Sequence, residues 1–234
     1  MTELPETPAA EVRTAWGLGD VAIAFGGWFV LSVLAVAMIA GLPQTPTGKG
    51  LGVVVGVVLP WVALVGWPWV VARTRGSGVA NDFGWRITWS DVPLGILGGF
   101  VSLILAAGVG VITRHFFGSF NSAAGEVAGT LTGHRLWLAI FAVLIAFGAP
   151  VVEELAFRGM LFSALLKRGV SARRTTVLVA ITFAIFHFEW IRLPLLLVIG
   201  VVLGYLRERT GRVGASVVAH SVNNIIGALS LLSG

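Results

Sequence analysis

This chain of 234 residues has no cysteine. That excludes disulfides, thiolate metal sites and a cysteine nucleophile. Charge is also scarce. Only 12% of the residues are Asp, Glu, Lys or Arg, against about 25% in a soluble domain. Apolar residues take their place, at 56% of the chain with a mean hydropathy of +0.92. The composition reads as an integral membrane protein, and the length suits one helical bundle rather than two domains. Basic residues outnumber acidic ones, 16 to 11. They are scattered, and no Lys/Arg block points to nucleic acid. Residues 1–16 carry Glu3, Glu6 and Glu11 and lack the basic start of a cleavable signal peptide. The first hydrophobic segment is therefore expected to be a retained span.

A helix needs about 20 apolar residues to cross a bilayer. The sequence predicts an all-α polytopic bundle of seven spans, near 18–41, 51–72, 92–113, 136–166, 174–190, 193–206 and 213–232. An eighth, re-entrant or interfacial element fits in 79–91 or 117–134. With the N-terminus inside, eleven of the sixteen basic residues fall in inner segments and four in outer ones. The asymmetry predicts an N-in, C-out topology. The chain divides into a polar tail (1–16), N-terminal spans (17–91) and a C-terminal core (92–234). Gly52/Gly56, Gly95/Gly99 and Gly200/Gly204 are small-xxx-small pairs of the kind that let helices approach closely. No internal repeat or low-complexity tract interrupts the pattern.

Against this apolar background two adjacent acids stand out. Glu153 and Glu154 lie inside the longest apolar stretch, with Arg158 close behind. A charge at the bilayer centre costs roughly 2.5–3.5 kcal/mol even on the lenient insertion scale. Such groups are functional-site candidates by default. Two later spans carry His187 and then His220 with Asn224. Counting from the inner basic flank of each span at about 1.5 Å per residue, Glu153, His187 and Asn224 fall roughly 18–21 Å deep and His220 about 12 Å. Adjacent helical residues diverge by about 100°, so the two glutamates serve different faces. Glu154 precedes Arg158 by four residues, the favourable order for an ion pair. That leaves Glu153 freer to act on water as a general base. Phe183 shares a face with His187, and His220 shares one with Asn224. Two donors aimed at one point suit an oxyanion hole, and helix–helix hydrogen bonding is the plainer alternative.

These three motifs in this order, Glu153-Glu154-Leu155-Ala156-Phe157-Arg158, Phe183 to His187 and His220 to Asn224, resemble those of the CPBP intramembrane proteases. That family is also called Abi, or CAAX protease and bacteriocin processing, and includes the type II CAAX prenyl endopeptidases. The segment Gly204 to Gly211 also looks typical. The resemblance covers about 92–232 and is strongest from 136 onward. It implies an intramembrane endopeptidase that forms no acyl-enzyme. Glu153 and His187 would activate water, and His220 and Asn224 would bind the oxyanion. Glu154, Arg158 and Phe183 would play supporting parts.

One glutamate and two histidines are also a zinc ligand set, here Glu153, His187 and His220. No His-Glu-x-x-His helix is present, and a metal-free mechanism with no cofactor is preferred. Two other classes compete with the protease. One is a non-catalytic membrane partner, such as an immunity or regulatory scaffold, which loss of motif residues would favour. The other is an ion or proton transporter, which paired broken helices in two repeats would favour. Expected partners are the lipid bilayer and a peptide or membrane-protein substrate. The Gly/Ala/Val-rich, compact style predicts a multi-pass protein of a bacterial plasma membrane, where prenylated CAAX proteins are not expected.

Overall fold

A computed structural model describes residues 15–233. The expected polar tail, 1–16, lies outside the described residues except for its last two. The chain forms α1 (Leu18–Ala40), α2 (Pro46–Thr74), α3 (Val79–Asp82), α4 (Asp91–Phe117) and α5 (Ala123–Thr130). There follow α6 (Arg135–Lys167), α7 (Ala172–Phe186), α8 (Leu193–Thr210) and α9 (Gly214–Ser233). A single 3-10 turn, Trp190–Arg192, leads into α8. No strand occurs among the described residues. The protein is a polytopic helical membrane bundle.

Among the described residues six helices are long and apolar enough to span a membrane: α1, α2, α4, α6, α9 and the Trp190–Thr210 segment that contains α8. The seventh expected span is α7, which has only 15 residues. That is about 22 Å of helix. The regions considered for an eighth element hold only α3 and α5, of four and eight residues.

The ends of the helices are tied in a few places. Lys167 at the end of α6 donates to the carbonyl of Trp16, just before α1. Arg75, after α2, pairs with Asp20 in the first turn of α1. Arg212, between α8 and α9, grips both carboxylate oxygens of Asp91 at 3.0 and 2.9 Å. One end of the bundle therefore gathers the starts of α1, α4, α7 and α9 and the ends of α2, α6 and α8. Most of the basic residues sit there.

Lipid is as apolar as a leucine side chain, so helices associate in it by close packing and hydrogen bonds. The glycine pairs serve this. A Cβ on Gly95 or Gly99 would stand 2.5 or 2.6 Å from Val218 or Val222 of α9. One on Gly200 or Gly204 would stand 3.0 Å from Ala180 or Thr176 of α7. Outward faces remain apolar and open: Phe29, Val30 and Val33 on α1 and Ile104, Val111 and Phe116 on α4 are each more than half exposed. The buried core gathers around Phe83, Leu155, Phe157, Phe162 and Phe183.

Candidate active site

The site is built on α6, and α6 is not regular. Its turns widen to the i→i+5 pattern at Leu144–Gly148 and again at Leu155–Leu161. Widened turns cluster at functional sites because they re-aim side chains. Here they flank the two glutamates on both sides. The first has a local cause. Pro150 has no N–H and cannot continue the ladder. In the widened register the Ala149 N–H bonds to the Leu144 carbonyl, so the next carbonyl, that of Ile145, faces a proline. Asn224 of α9 fills the gap, its Nδ2 donating to Ile145 O at 2.9 Å. The second widened turn also takes a side chain from another helix. Arg207 Nε of α8 donates to Arg158 O at 2.9 Å.

Glu154 and Arg158 are both fully buried and pair at 2.9 Å. Arg158 also donates to Gly200 O of α8 at 2.9 Å and lies 4.4 Å above the Phe183 ring. The two charges are thus paired deep inside the bundle, as a buried ion pair requires, although Glu154 Oε2 and Arg158 Nε have no hydrogen-bond partner among the described residues. The same oxygen of Glu154 is 2.9 Å from His220 Nδ1. A carboxylate held by arginine accepts, so the His220 Nδ1 is assigned the proton and Nε2 is left bare.

His187 ends up in the same state by a different route. It caps α7, and its own N–H bonds back to Ala184 O. The carbonyl of Phe183 is left for the ring, whose Nδ1 donates to it at 2.8 Å. A carbonyl can only accept, so this Nδ1 also carries the proton. The residue that follows, Phe188, has φ of 53° and reverses the chain immediately after the helix. Non-glycine residues rarely adopt this region, and such positions concentrate near functional sites.

Both bare nitrogens face Glu153. His187 Nε2 lies 3.9 Å from Glu153 Oε2 and His220 Nε2 lies 3.8 Å from it. That oxygen is buried and takes no hydrogen bond among the described residues. Three polar atoms on three helices thus converge beyond direct hydrogen-bonding distance. Phe183 packs beneath them, its ring centroid 4.5 Å from that of His187 and 5.7 Å from that of His220.

A cavity opens beside Glu153 and His187, with an empty volume of about 430 Å³ including its mouth. Its walls are aromatic: Phe25 and Trp28 of α1, Trp61 of α2, and Phe157 and Phe186. Phe188 stacks parallel to Trp28 at 6.4 Å.

Residues 135–226 match the family described as type II CAAX prenyl endopeptidase Rce1-like. This segment is similar to the CAAX-protease (CPBP) family. All three motifs lie within it, as does every polar residue of the site. No curated protein and no solved structure matches the chain. The similarity to this protease family supports peptidase activity in the membrane as the general class.

The structure brings together Glu153, His187 and His220, with Glu154, Arg158 and Phe183 packed against them. Asn224 stands one helical turn beyond His220, and its hydrogen bond is to Ile145 rather than to this cluster. Sequence reasoning missed two residues. Pro150 carried a signal, a proline inside a span three residues before the first glutamate. Arg207 was assigned to an inner segment by its neighbours Arg209 and Arg212, yet it is buried between α6 and α8. The aromatic wall from α1 and α2 had no motif to mark it. Among the described residues no group of three His, Asp or Glu is spaced as a metal site.

Proposed function

We propose that this protein is an intramembrane endopeptidase in which Glu153 activates water for attack on a peptide carbonyl. The convergence of Glu153 Oε2 with the bare Nε2 atoms of His187 and His220 carries the reading. Three acceptors with no proton of their own call for a partner that brings protons, and water brings two. Their separations of 3.8 and 3.9 Å suit a bridging water. Glu153 takes the proton as the water attacks, and His187 steadies the nucleophile. When the carbonyl oxygen becomes negative, the free N–H of Asn224 stabilises it, and His220 joins in once its Nε2 has also taken up a proton; Glu153 hands its own proton to the amine nitrogen as the C–N bond breaks. An asparagine amide has two N–H donors; Ile145 uses one, which leaves the other for the oxyanion. Glu154, itself paired with Arg158, accepts from His220 Nδ1 and so keeps Nε2 turned to the site.

The apolar cavity supports a substrate with a large apolar group near the scissile bond, drawn from membrane-associated peptides or protein tails. The charge asymmetry supports an N-in, C-out arrangement in a bacterial plasma membrane. Labelling single cysteines placed in this cysteine-free chain tests it, and cytoplasmic labelling of position 234 would reverse it.

A zinc-bound water is the second reading. It is favoured by the pinned tautomers, because metal-bound histidines also donate their other N–H to a carboxylate or carbonyl. Tetrahedral ligands at 2.1 Å stand about 3.4 Å apart, less than the separations here. The deciding experiment compares cleavage of a membrane-peptide library by wild type and Glu153→Gln, with zinc measured in the purified protein. Loss of cleavage in Glu153→Gln, with no stoichiometric zinc in the wild type, upholds the proposal. Stoichiometric zinc lost in His187→Ala and kept in Asn224→Ala overturns it in favour of the metal reading. Full activity in Glu153→Gln removes both.

A further inference from the structure

A second cavity, at the basic end of the bundle, takes no part in this chemistry. It is wide and polar, with an empty volume of about 850 Å³ including its mouth. Arg86, Arg207, Arg212, Asp82, Ser163 and Thr210 contribute to its walls. Three cations therefore face one acid across the lining. The acid is already engaged, since Asp82 accepts from Ser77 N and Oγ and from Gly78 N at 2.9–3.0 Å. Arg212 is answered by Asp91. Arg86 is exposed, and among the described residues its side chain donates only to that of Asn81, at 2.9 Å.

Arg207 is the unusual member. It is only 6% exposed. Its Nε is taken by Arg158 O, its Nη2 reaches Ser163 Oγ only at 3.5 Å, and its face lies 5.2 Å from the Phe162 ring. No carboxylate among the described residues lies within ion-pair distance of it. Its neighbour Glu208 is turned to Thr176, at 3.0 Å. A buried guanidinium without a counter-charge is unfavourable until an anion answers it. The wall next to it is bare backbone: Gly84 has φ of +63°, and a Cβ there would stand 2.8 Å from Arg207 Nη2. That gap lets the guanidinium reach the cavity.

We propose that this cavity binds a phosphoryl group. Planar guanidinium donors match phosphate oxygens in geometry as well as charge, and the neighbouring hydroxyls can serve the remaining oxygens. The group could be carried by an anionic lipid headgroup or by a soluble phosphate. The two share their chemistry and differ in the anchor. The cavity opens where the spans end, at the level of the headgroups.

The test uses the full chain, delipidated in detergent and titrated with phosphatidylglycerol, phosphatidylcholine or inorganic phosphate while native mass spectrometry counts bound molecules. The phosphatidylglycerol affinity is expected to fall roughly tenfold or more in Arg207→Gln, since a hydrogen bond to a charged group is lost. It should fall less in Arg86→Gln and partly recover in Arg207→Lys. Arg173→Gln removes an exposed charge outside the cavity and should change nothing. If millimolar phosphate displaces the lipid in the wild type, the phosphoryl group suffices as ligand. If it does not, the lipid is the carrier; either result upholds the site. Equal loss in Arg173→Gln and Arg86→Gln would reduce the effect to diffuse surface charge and overturn the proposal, as would absence of both phosphatidylglycerol preference and phosphate binding. Arg86 is exposed, so its variant decides the matter even if Arg207→Gln does not fold. Binding should be unchanged in Glu153→Gln, so this result stands or falls separately from the peptidase reading.

Discussion

The α1–α2 pair and the α6–α9 helices both turn apolar side chains outward and are very different within. Between α1 and α2 the polar contacts gather near one end, where Asp20 meets Arg75 and the Trp67 indole N–H. The rest is close packing, with Gly52 and Gly56 against Ile39. Among α6 to α9 the middle of the bundle is polar, from the Glu154–Arg158 pair through His220 to Glu153. The family match falls on this second region alone. The contrast teaches a division of labour. One region holds charges at membrane depth, where they can do chemistry. The other supplies aromatic walls that decide what reaches them.

If that division is right, the two regions fail differently when altered. The largest effect is expected at Glu153. Glu153→Gln keeps shape and loses the base, lowering turnover by about 10²–10⁴ with unchanged thermal stability. A peptide-cleavage assay beside a melting curve checks both. Next come Glu154→Gln and Arg158→Ala. Each strands a buried partner at a cost of roughly 3–5 kcal/mol, so they should unfold earlier as well as lose activity. A stable, inactive Arg158→Ala would mean that the pair serves chemistry rather than support.

Asn224→Ala should lower kcat far more than it raises KM, by about 2.7–4 kcal/mol if its free N–H meets the oxyanion. Pro150→Ala sharpens this. It restores a backbone N–H near Ile145 O, competes with Asn224 for that carbonyl and loosens the amide. A several-fold fall in kcat at constant KM is expected, and no change would dissociate Asn224's position from the proline. The smallest effect belongs to the other region. Trp28→Ala or Trp61→Ala should raise KM for substrates with bulky apolar groups and leave kcat for small ones nearly untouched. A kcat loss as large as at Glu153 would erase the division.

Much of this was legible in the residues. Apolar runs of span length give the helices, because a bilayer leaves the backbone no partner but itself. Glu153 and Glu154 stood out because ionised groups in that solvent are rare. Their unequal surroundings follow from helix geometry, and the Glu154–Arg158 pair forms at the expected spacing. Arg207 escaped because local charge density marks a loop equally well as a span end. Only its burial distinguishes it.

The sequence by itself determined the solvent of this protein, its helical class and the side chains able to do chemistry. It did so because hydropathy and residue type are local properties. The tertiary structure alone decided which nitrogen of each histidine faces Glu153. That depends on a helix-end carbonyl at Phe183 and on a carboxylate 66 residues away along the chain from His220. It also decided that Asn224 answers the carbonyl that Pro150 leaves behind, and that α1 and α2 wall the cavity. Each of these is a meeting of distant segments, fixed by how closely glycines let helices approach and by which hydrogen-bonding groups a membrane will not leave unpaired.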